Sequence, residues 1–172
     1  MLSTVLAAGV ILLVVLLDQI SKLLVLGLLY EDKAVIIKGI LNFTYVENRG
    51  MAFGLLADHR WVFMVVSTVA IVAMLIYMWK LAPKNMFMRV GLSLVIGGGI
   101  GNMIDRVAYG YVVDFLDFCA FPTLWKWVFN VADACVCIGA GMVMLYLVLE
   151  IIKEAKEEKA KKAATNNEDE NQ

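Results

Sequence analysis

Two carboxylates in this 172-residue chain stand apart from the rest. Asp114 and Asp133 each border an apolar stretch, and no lysine or arginine lies within a helical turn of either. An ionised side chain without a partner is expensive near a membrane, so such residues tend to be kept where they are used. If the two face each other at a dry boundary they share one proton, because like charges a few ångströms apart raise one pKa while the other group stays ionised. An acid and a base then sit side by side, which is what hydrolysis requires. Each residue also has a structural explanation. Asn130 could cap a helix with Asp133 three positions on, an arrangement resembling a capping box, and Asp114 could be a solvated loop carboxylate beside Asp117. The residues alone leave both explanations open.

Other chemistry is thinly represented. His59 is the only histidine and lies beside Asp58 without a nucleophile motif, so neither a Ser–His triad nor a zinc site is expected around it. Cys135 and Cys137 are two apart in an apolar stretch and point to different helix faces, and Cys119 is remote from both; no disulfide is expected. Asp18 and Lys22 are four apart and can meet on one helix face, where a structural ion pair is the plain reading. Asp105 and Arg106 are neighbours and cannot face each other on a helix. With Asn102 one turn earlier they suit a scaffold or a substrate-positioning role, the planar fork of Arg106 finding a carbonyl, a carboxylate or a substrate group.

The elements that hold these residues are membrane helices. Apolar residues make up 62% of the chain, charged residues 18%, and methionine occurs ten times, well outside soluble averages. Four stretches, about Leu2 to Leu29, Trp61 to Trp79, Phe87 to Ile104 and Val128 to Ile152, are long enough to cross about 30 Å of hydrocarbon. The expected fold is an all-α polytopic membrane protein with four transmembrane helices, forming one domain over residues 1–152. The first stretch contains Asp18 and Lys22 and lacks a basic leader, so it reads as a retained span rather than a cleaved signal. Trp61 and Trp79 bracket the second span as interfacial anchors.

Lys80, Lys84 and Arg89 crowd the second connection, and Lys153, Lys156, Lys159, Lys161 and Lys162 follow the last span. These segments and both termini are expected in the cytoplasm, although Lys33, Lys38, Arg49, Arg60, Arg106 and Lys126 on the other side weaken the bias. The first and third connections then face outward. In the first, Leu41, Phe43 and Tyr45 alternate with Asn42 and Thr44, which suggests a short strand half in the interface, followed by a turn at Asn48-Arg49-Gly50. Gly97, Gly98, Gly99 and Gly101 read as a place where helices pack closely, in preference to direct substrate contact. Residues 153–172 read as a charged cytoplasmic tail, a frayed helix passing into disorder. A net charge of −1 gives no reason to expect nucleic acid.

Five motifs in order carry a family resemblance: Asp18-Gln19 with Lys22; Asn48-Arg49-Gly50-Met51-Ala52-Phe53-Gly54; Gly101-Asn102 with Asp105-Arg106; Val112-Val113-Asp114-Phe115; and Phe129-Asn130-Val131-Ala132-Asp133. Together they resemble the motif set of the lipoprotein signal peptidases, signal peptidase II. The resemblance implies an aspartyl peptidase of the bacterial cytoplasmic membrane that removes signal peptides from prolipoproteins, cutting before the diacylglyceryl-modified cysteine. It implies that Asp114 and Asp133 are the catalytic dyad, and that Asp18, Lys22, Asn48, Gly50, Asn102, Asp105, Arg106 and Asn130 support it. It also implies an active site near the outer face, an outward cradle formed by the small β region, lipidated prolipoproteins and membrane lipids as partners, and no cofactor or metal. A monomer is expected. Met51 stands where a smaller residue is common and is expected to reshape the cradle; Cys135 and Cys137 replace plainer residues after the last motif.

Three other readings are weaker. A magnesium-dependent phosphotransferase acting on lipid head groups would want acids at short regular spacing on facing helices, whereas Asp114 and Asp133 are 19 residues apart. A proton-coupled carrier would be expected to show an inverted repeat. A GxGD-type intramembrane peptidase needs Asp where Gly99-Ile100-Gly101-Asn102 has Asn.

Overall fold

The computed structural model describes residues 2–28, 33–50, 60–81, 85–120 and 127–169. Met51 to His59, Lys84 and Lys126 lie outside the described residues, and with them the expectations attached to Met51 and His59. Among the described residues there are four α-helices: α1 (Leu2–Leu28), α2 (Arg60–Ile76), α3 (Met86–Ala108) and α4 (Val131–Asp169). Their surface is inverted relative to a soluble protein. Leu12, Leu16, Val65, Val69, Leu145 and Ile151 are exposed, while Asp18, Lys22, Ser93, Asp105 and Asn130 are buried. Lipid offers apolar side chains a neutral solvent, so what drives polar groups inward here is the need to find partners.

Helix α3 is the central element. Half of its apolar window is buried, against 22% for α1 and 6% for α4. Small residues make this possible. A Cβ on Gly97 would lie 2.8 Å from that of Val14 on α1, one on Gly101 would lie 2.5 Å from a carboxylate oxygen of Asp18, and one on Gly98 would collide with the backbone carbonyl of Ala132 on α4. The glycine cluster is therefore a packing device, as its composition suggests. Asn85 caps α3 by accepting from the N–H groups of Phe87 and Met88 at 2.8 and 3.3 Å. At the other end Gly110, at φ 83°, turns the chain back beside the helix it has just left.

The second span differs from expectation. α2 has 17 residues and passes into a π-helical turn over Tyr77–Leu81, so that among the described residues three helices are long and apolar enough to cross a membrane. Trp61 and Trp79 are both exposed at the ends of this unit. α4 continues to Asp169 over 39 residues, and Lys and Glu spaced along its distal part pair within the helix, Lys153 with Glu150 and Lys162 with Glu158.

The chain is mostly helical but not all-α. A four-stranded antiparallel sheet has the order β1 (Lys33–Ile37), β2 (Leu41–Asn48), β3 (Val112–Phe118) and β4 (Val128–Phe129). The expected strand at Leu41 is present as β2, and the sheet also recruits both strands of the segment between α3 and α4. The alternation of Leu41, Phe43 and Tyr45 does not persist on one face. Phe43 pairs with Leu116 but Val46 pairs with Asp114, so β2 carries one extra residue at Thr44 and Tyr45, a β-bulge that exchanges the two faces beyond it.

Replacing Gly98 with alanine should lower the stability of the detergent-purified protein by about 1–3 kcal/mol or more, read as a drop in thermal midpoint. Gly141→Ala on α4, where an added Cβ meets nothing within 4 Å, should leave the midpoint unchanged or slightly raised. Equal effects of the two would contradict the packing role.

Candidate active site

The site is assembled where the C-terminal parts of α1 and α3, the N-terminus of α4 and the inner strands of the sheet meet. Its base is a buried group of three charges. The ammonium of Lys22 lies 2.8 Å from Asp18 Oδ2 and 2.8 Å from Asp105 Oδ2, and its third N–H is directed to Asn102 Oδ1 at 3.0 Å. All three donors of the ammonium are thus engaged. The i,i+4 pair expected from sequence is present, and Asp105 completes it.

Both carboxylates of this group also hold backbone. Asp18 Oδ1 accepts from the N–H of Ala132 at 2.9 Å, capping α4 from a different helix, and Asp105 Oδ2 accepts from the N–H of Val113 at 3.0 Å, fixing the start of β3 against α3. Gln19 donates to Asp18 Oδ2, the Gly101 carbonyl and Asp105 Oδ1 at 3.0–3.2 Å. Its place in the Asp18-Gln19 motif drew attention to it, but its role could not be read without knowing that α1 and α3 touch.

Asn130 caps α4, accepting from the N–H of Asp133 at 2.9 Å. The capping box is only half formed: Asp133 Oδ1 accepts from Asn102 Nδ2 on α3 at 2.7 Å rather than being spent on its own helix. The side-chain amide of Asn130 points the other way, to Asp114 Oδ1 at 2.6 Å, Asn102 Oδ1 at 3.1 Å and the Val113 carbonyl at 3.3 Å. Asn130 therefore ties the strand carrying Asp114 to the helix carrying Asp133.

Asp114 is 2% exposed, which overturns its reading as a solvated loop carboxylate. Its second oxygen accepts from Asn48 Nδ2 at 2.8 Å, and Asn48 in turn takes the N–H of Gly50 at 3.1 Å, the turn expected at Asn48-Arg49-Gly50. The β-bulge makes this contact possible. Without the extra residue Glu47 would pair with Val112 and face Asp114; with it Asn48 pairs with Val112 and Glu47 with Val113, so an amide donor replaces a carboxylate beside Asp114. Glu47 instead joins Arg49, 2.7 Å away, on the other face, where Tyr45 and Tyr111 meet through their hydroxyls at 3.1 Å. This outer layer had no signal in the sequence, because the bulge that creates it has none.

Arg106 finds the Asn102 backbone carbonyl at 3.1 Å, one of the acceptors expected for it, and feels the charges of Asp133, Asp114 and Asp105. The ten residues singled out from sequence, Asp18, Lys22, Asn48, Gly50, Asn102, Asp105, Arg106, Asp114, Asn130 and Asp133, thus lie in one connected network. Among the described residues no three acidic, histidine or cysteine side chains gather to hold a metal ion, and Cys119, Cys135 and Cys137 are not joined in disulfides.

Comparison with known proteins decides the lineage. Residues 10–149 match the family model described as signal peptidase (SPase) II. The chain belongs to the signal peptidase II family. It is 46% identical over 139 residues to the lipoprotein signal peptidase of Halothermothrix orenii, covering 80% of this chain and 92% of that one. It is 41% identical over 140 residues to the lipoprotein signal peptidase of Clostridioides difficile, covering 81% and 92%. A bacterial membrane enzyme solved by the in meso method at 2.3 Å superposes with a TM-score of 0.78 at 32% identity, over 84% of this chain and 88% of that one. As a signal peptidase II, the chain is a peptidase, and the network just described is its candidate active site.

Burial, then the charge of Asp133, push the Asp114 carboxyl up to about 7 against the hydrogen bonds of Asn48 and Asn130 and the charge of Lys22. A carboxyl raised in the folded state binds its proton more tightly there than when unfolded, so its contribution to stability is present in full below its ordinary range near 3.8 and is lost as pH rises through about 7. Wild-type protein should therefore lose thermal stability between pH 5 and pH 8, by on the order of a few kcal/mol, and Asp114→Asn should flatten that slope. Identical slopes in the two proteins would contradict the assignment.

Proposed function

We propose that the chain is an aspartyl endopeptidase that removes the signal peptides of diacylglyceryl-modified prolipoproteins, cleaving before the lipidated cysteine, with Asp114 and Asp133 as its catalytic dyad. The observation that carries this reading is the division of partners within the network: Asp114 and Asp133 are bridged by Asn130 and Asn102 while the buried ammonium of Lys22 is held by Asp18 and Asp105. Two carboxylates are thus kept close to each other without either forming a direct ion pair with Lys22, and the nearby Arg106 gives its hydrogen bond to the Asn102 carbonyl. That is the condition for one to be protonated while the other is ionised.

In the proposed mechanism the ionised Asp133 takes a proton from a water, the water oxygen attacks the scissile carbonyl, and the protonated Asp114 donates to the carbonyl oxygen. The resulting gem-diol collapses with transfer of a proton to the leaving amine. Asp133 sits in the first turn of α4, where the helix dipole favours an ionised group, and Asp114, buried and pushed up to about 7, carries the shared proton. Asp18, Lys22, Asn102, Asp105 and Asn130 position the pair, Asn48 and Gly50 present the strand end, and Arg106 offers a cation beside the reacting centre.

The membrane arrangement that fits this chemistry has four spans, the second made by α2 and its π-helical turn. Residues 1–152 form the peptidase domain and 153–172 the cytoplasmic arm. Both termini are cytoplasmic, and the sheet and dyad lie at the outer face. Arg89 lies at the end of α3 opposite Asn102 and Asp105, and Lys153 far along α4 from Asp133, which supports that orientation. The acyl chains of the substrate in lipid would hold its modified cysteine at one depth, bringing the preceding peptide bond to the dyad as a monomeric enzyme requires. Membership of a peptidase family leaves no support for the phosphotransferase and carrier readings.

The test uses purified protein in metal-free detergent with matched peptides that carry or lack the diacylglyceryl group. Only the lipidated peptide should be cut. Asp114→Asn and Asp133→Asn should each reduce turnover by about 10³-fold or more while still binding that peptide; clear activity in either variant would exclude the dyad.

A further inference from the structure

Lys22 touches neither carboxylate of the pair, yet hydrogen bonds link it to both in different senses: toward Asp133 each group accepts from the one before and donates to the next, whereas toward Asp114 Lys22 and Asn130 both donate to the same Asn102 oxygen. Its ammonium donates to Asn102 Oδ1 at 3.0 Å, and Asn102 Nδ2 donates to Asp133 Oδ1 at 2.7 Å. An amide has nearly the same shape either way round, so its partners decide which end is oxygen. Turned over, the Asn102 amide would set its NH2 against an ammonium and against Asn130 Nδ2, and its oxygen against the Asp133 carboxylate.

Asn130 enforces the orientation less firmly than Lys22 does. Its NH2 is divided among Asn102 Oδ1, Asp114 Oδ1 and the Val113 carbonyl, whereas Lys22 directs one N–H to each of Asp18, Asp105 and Asn102. The donors on Asp114 differ in kind. Asn48 and Asn130 have their own oxygens occupied by the neutral backbone N–H groups of Gly50 and Asp133. Only the amide that serves Asp133 is polarised by a cation, and a polarised amide is the stronger donor.

We infer that Lys22 is a positioning residue for water activation: acting through Asn102, it fixes a strengthened N–H on Asp133 and so makes Asp133, rather than Asp114, the member of the pair that stays ionised. This rests on the reading of Asp114 and Asp133 as the acid and base. The other charged groups that act on Asp133 are Asp18 on α1, Arg106 on α3 and Asp114 on β3; Asp105 on α3 meets Lys22 and Arg106, and Cys135 on α4 feels Asp18. Asp18 and Asp105 share the single ammonium of Lys22, and Arg106 gives its hydrogen bond to the Asn102 backbone carbonyl.

The experiment is the pH–rate profile of turnover on the lipidated peptide for Lys22→Met, Asn102→Ser and the double variant, each also prepared with Asp18→Asn to remove a carboxylate that Lys22→Met would strand. The acidic limb should move up by about one pH unit, a loss of about tenfold at a pH below the wild-type limb. The double variant should move no further than either single one, because both break the same chain. Asn102→Ser leaves the three-charge group intact and serves if Lys22→Met does not fold. Turnover lowered at every pH with the limb in place, or a double variant that sums the singles, would overturn the inference and leave a merely structural lysine. Activity retained in Asp114→Asn or Asp133→Asn would instead overturn the dyad; both inactive with an unmoved limb would defeat the Lys22 inference alone.

Discussion

The structure depends on the burial of one ammonium between two carboxylates. Lys22, Asp18 and Asp105 are each no more than 2% exposed, and none could stay charged in that position without the others. The three together carry one net negative charge, and the two carboxylates also accept from backbone N–H groups of α4 and β3 and from Gln19. One ion cluster thereby joins α1, α3, α4 and the sheet. Its contribution to net stability is modest, since desolvation offsets most of the attraction. Its value lies in register, because the helix and the strand that bear Asp133 and Asp114 are both fastened to it.

The close approach of the helices is part of the same constraint. Asp18 reaches Ala132 only because Gly101 and Gly98 let α1 and α4 come against α3 without intervening side chains. In lipid there is no hydrophobic gain from bringing apolar helices together, so packing and polar contacts must supply the association. Here the two coincide along one face of α3, with glycines toward the middle of the helix and Asn102 and Asp105 at the end.

The helices and the polar residues were legible in the sequence because apolar length and unpaired charge are one-dimensional signals. Asp18 with Lys22, Asn130 as a cap and the Asn48-Arg49-Gly50 turn could be seen for the same reason: each depends on residues within a turn of one another. What was hidden depends on contacts across the chain. Val112 to Phe118 is buried on both faces at its start and so shows no alternation to mark it as a strand, and β4 has two residues, too few to carry a pattern. The bulge at Thr44 and Tyr45 could not be anticipated, although it decides that Asn48 and not Glu47 faces Asp114. The five ordered motifs made the resemblance to signal peptidase II visible despite this, because they preserve the residues of the network without revealing how they are wired.

The central claim is that the network holds two carboxylates together with a single proton that resides chiefly on Asp114. It can be tested by isotope-edited infrared spectroscopy of the detergent-purified enzyme at pH 6, comparing wild type with Asp114→Asn and with Asp133→Asn. The account predicts a protonated-carboxyl stretch in the wild type that vanishes in Asp114→Asn. A band that survives in Asp114→Asn and vanishes in Asp133→Asn, or no protonated carboxyl in the wild type, would contradict it.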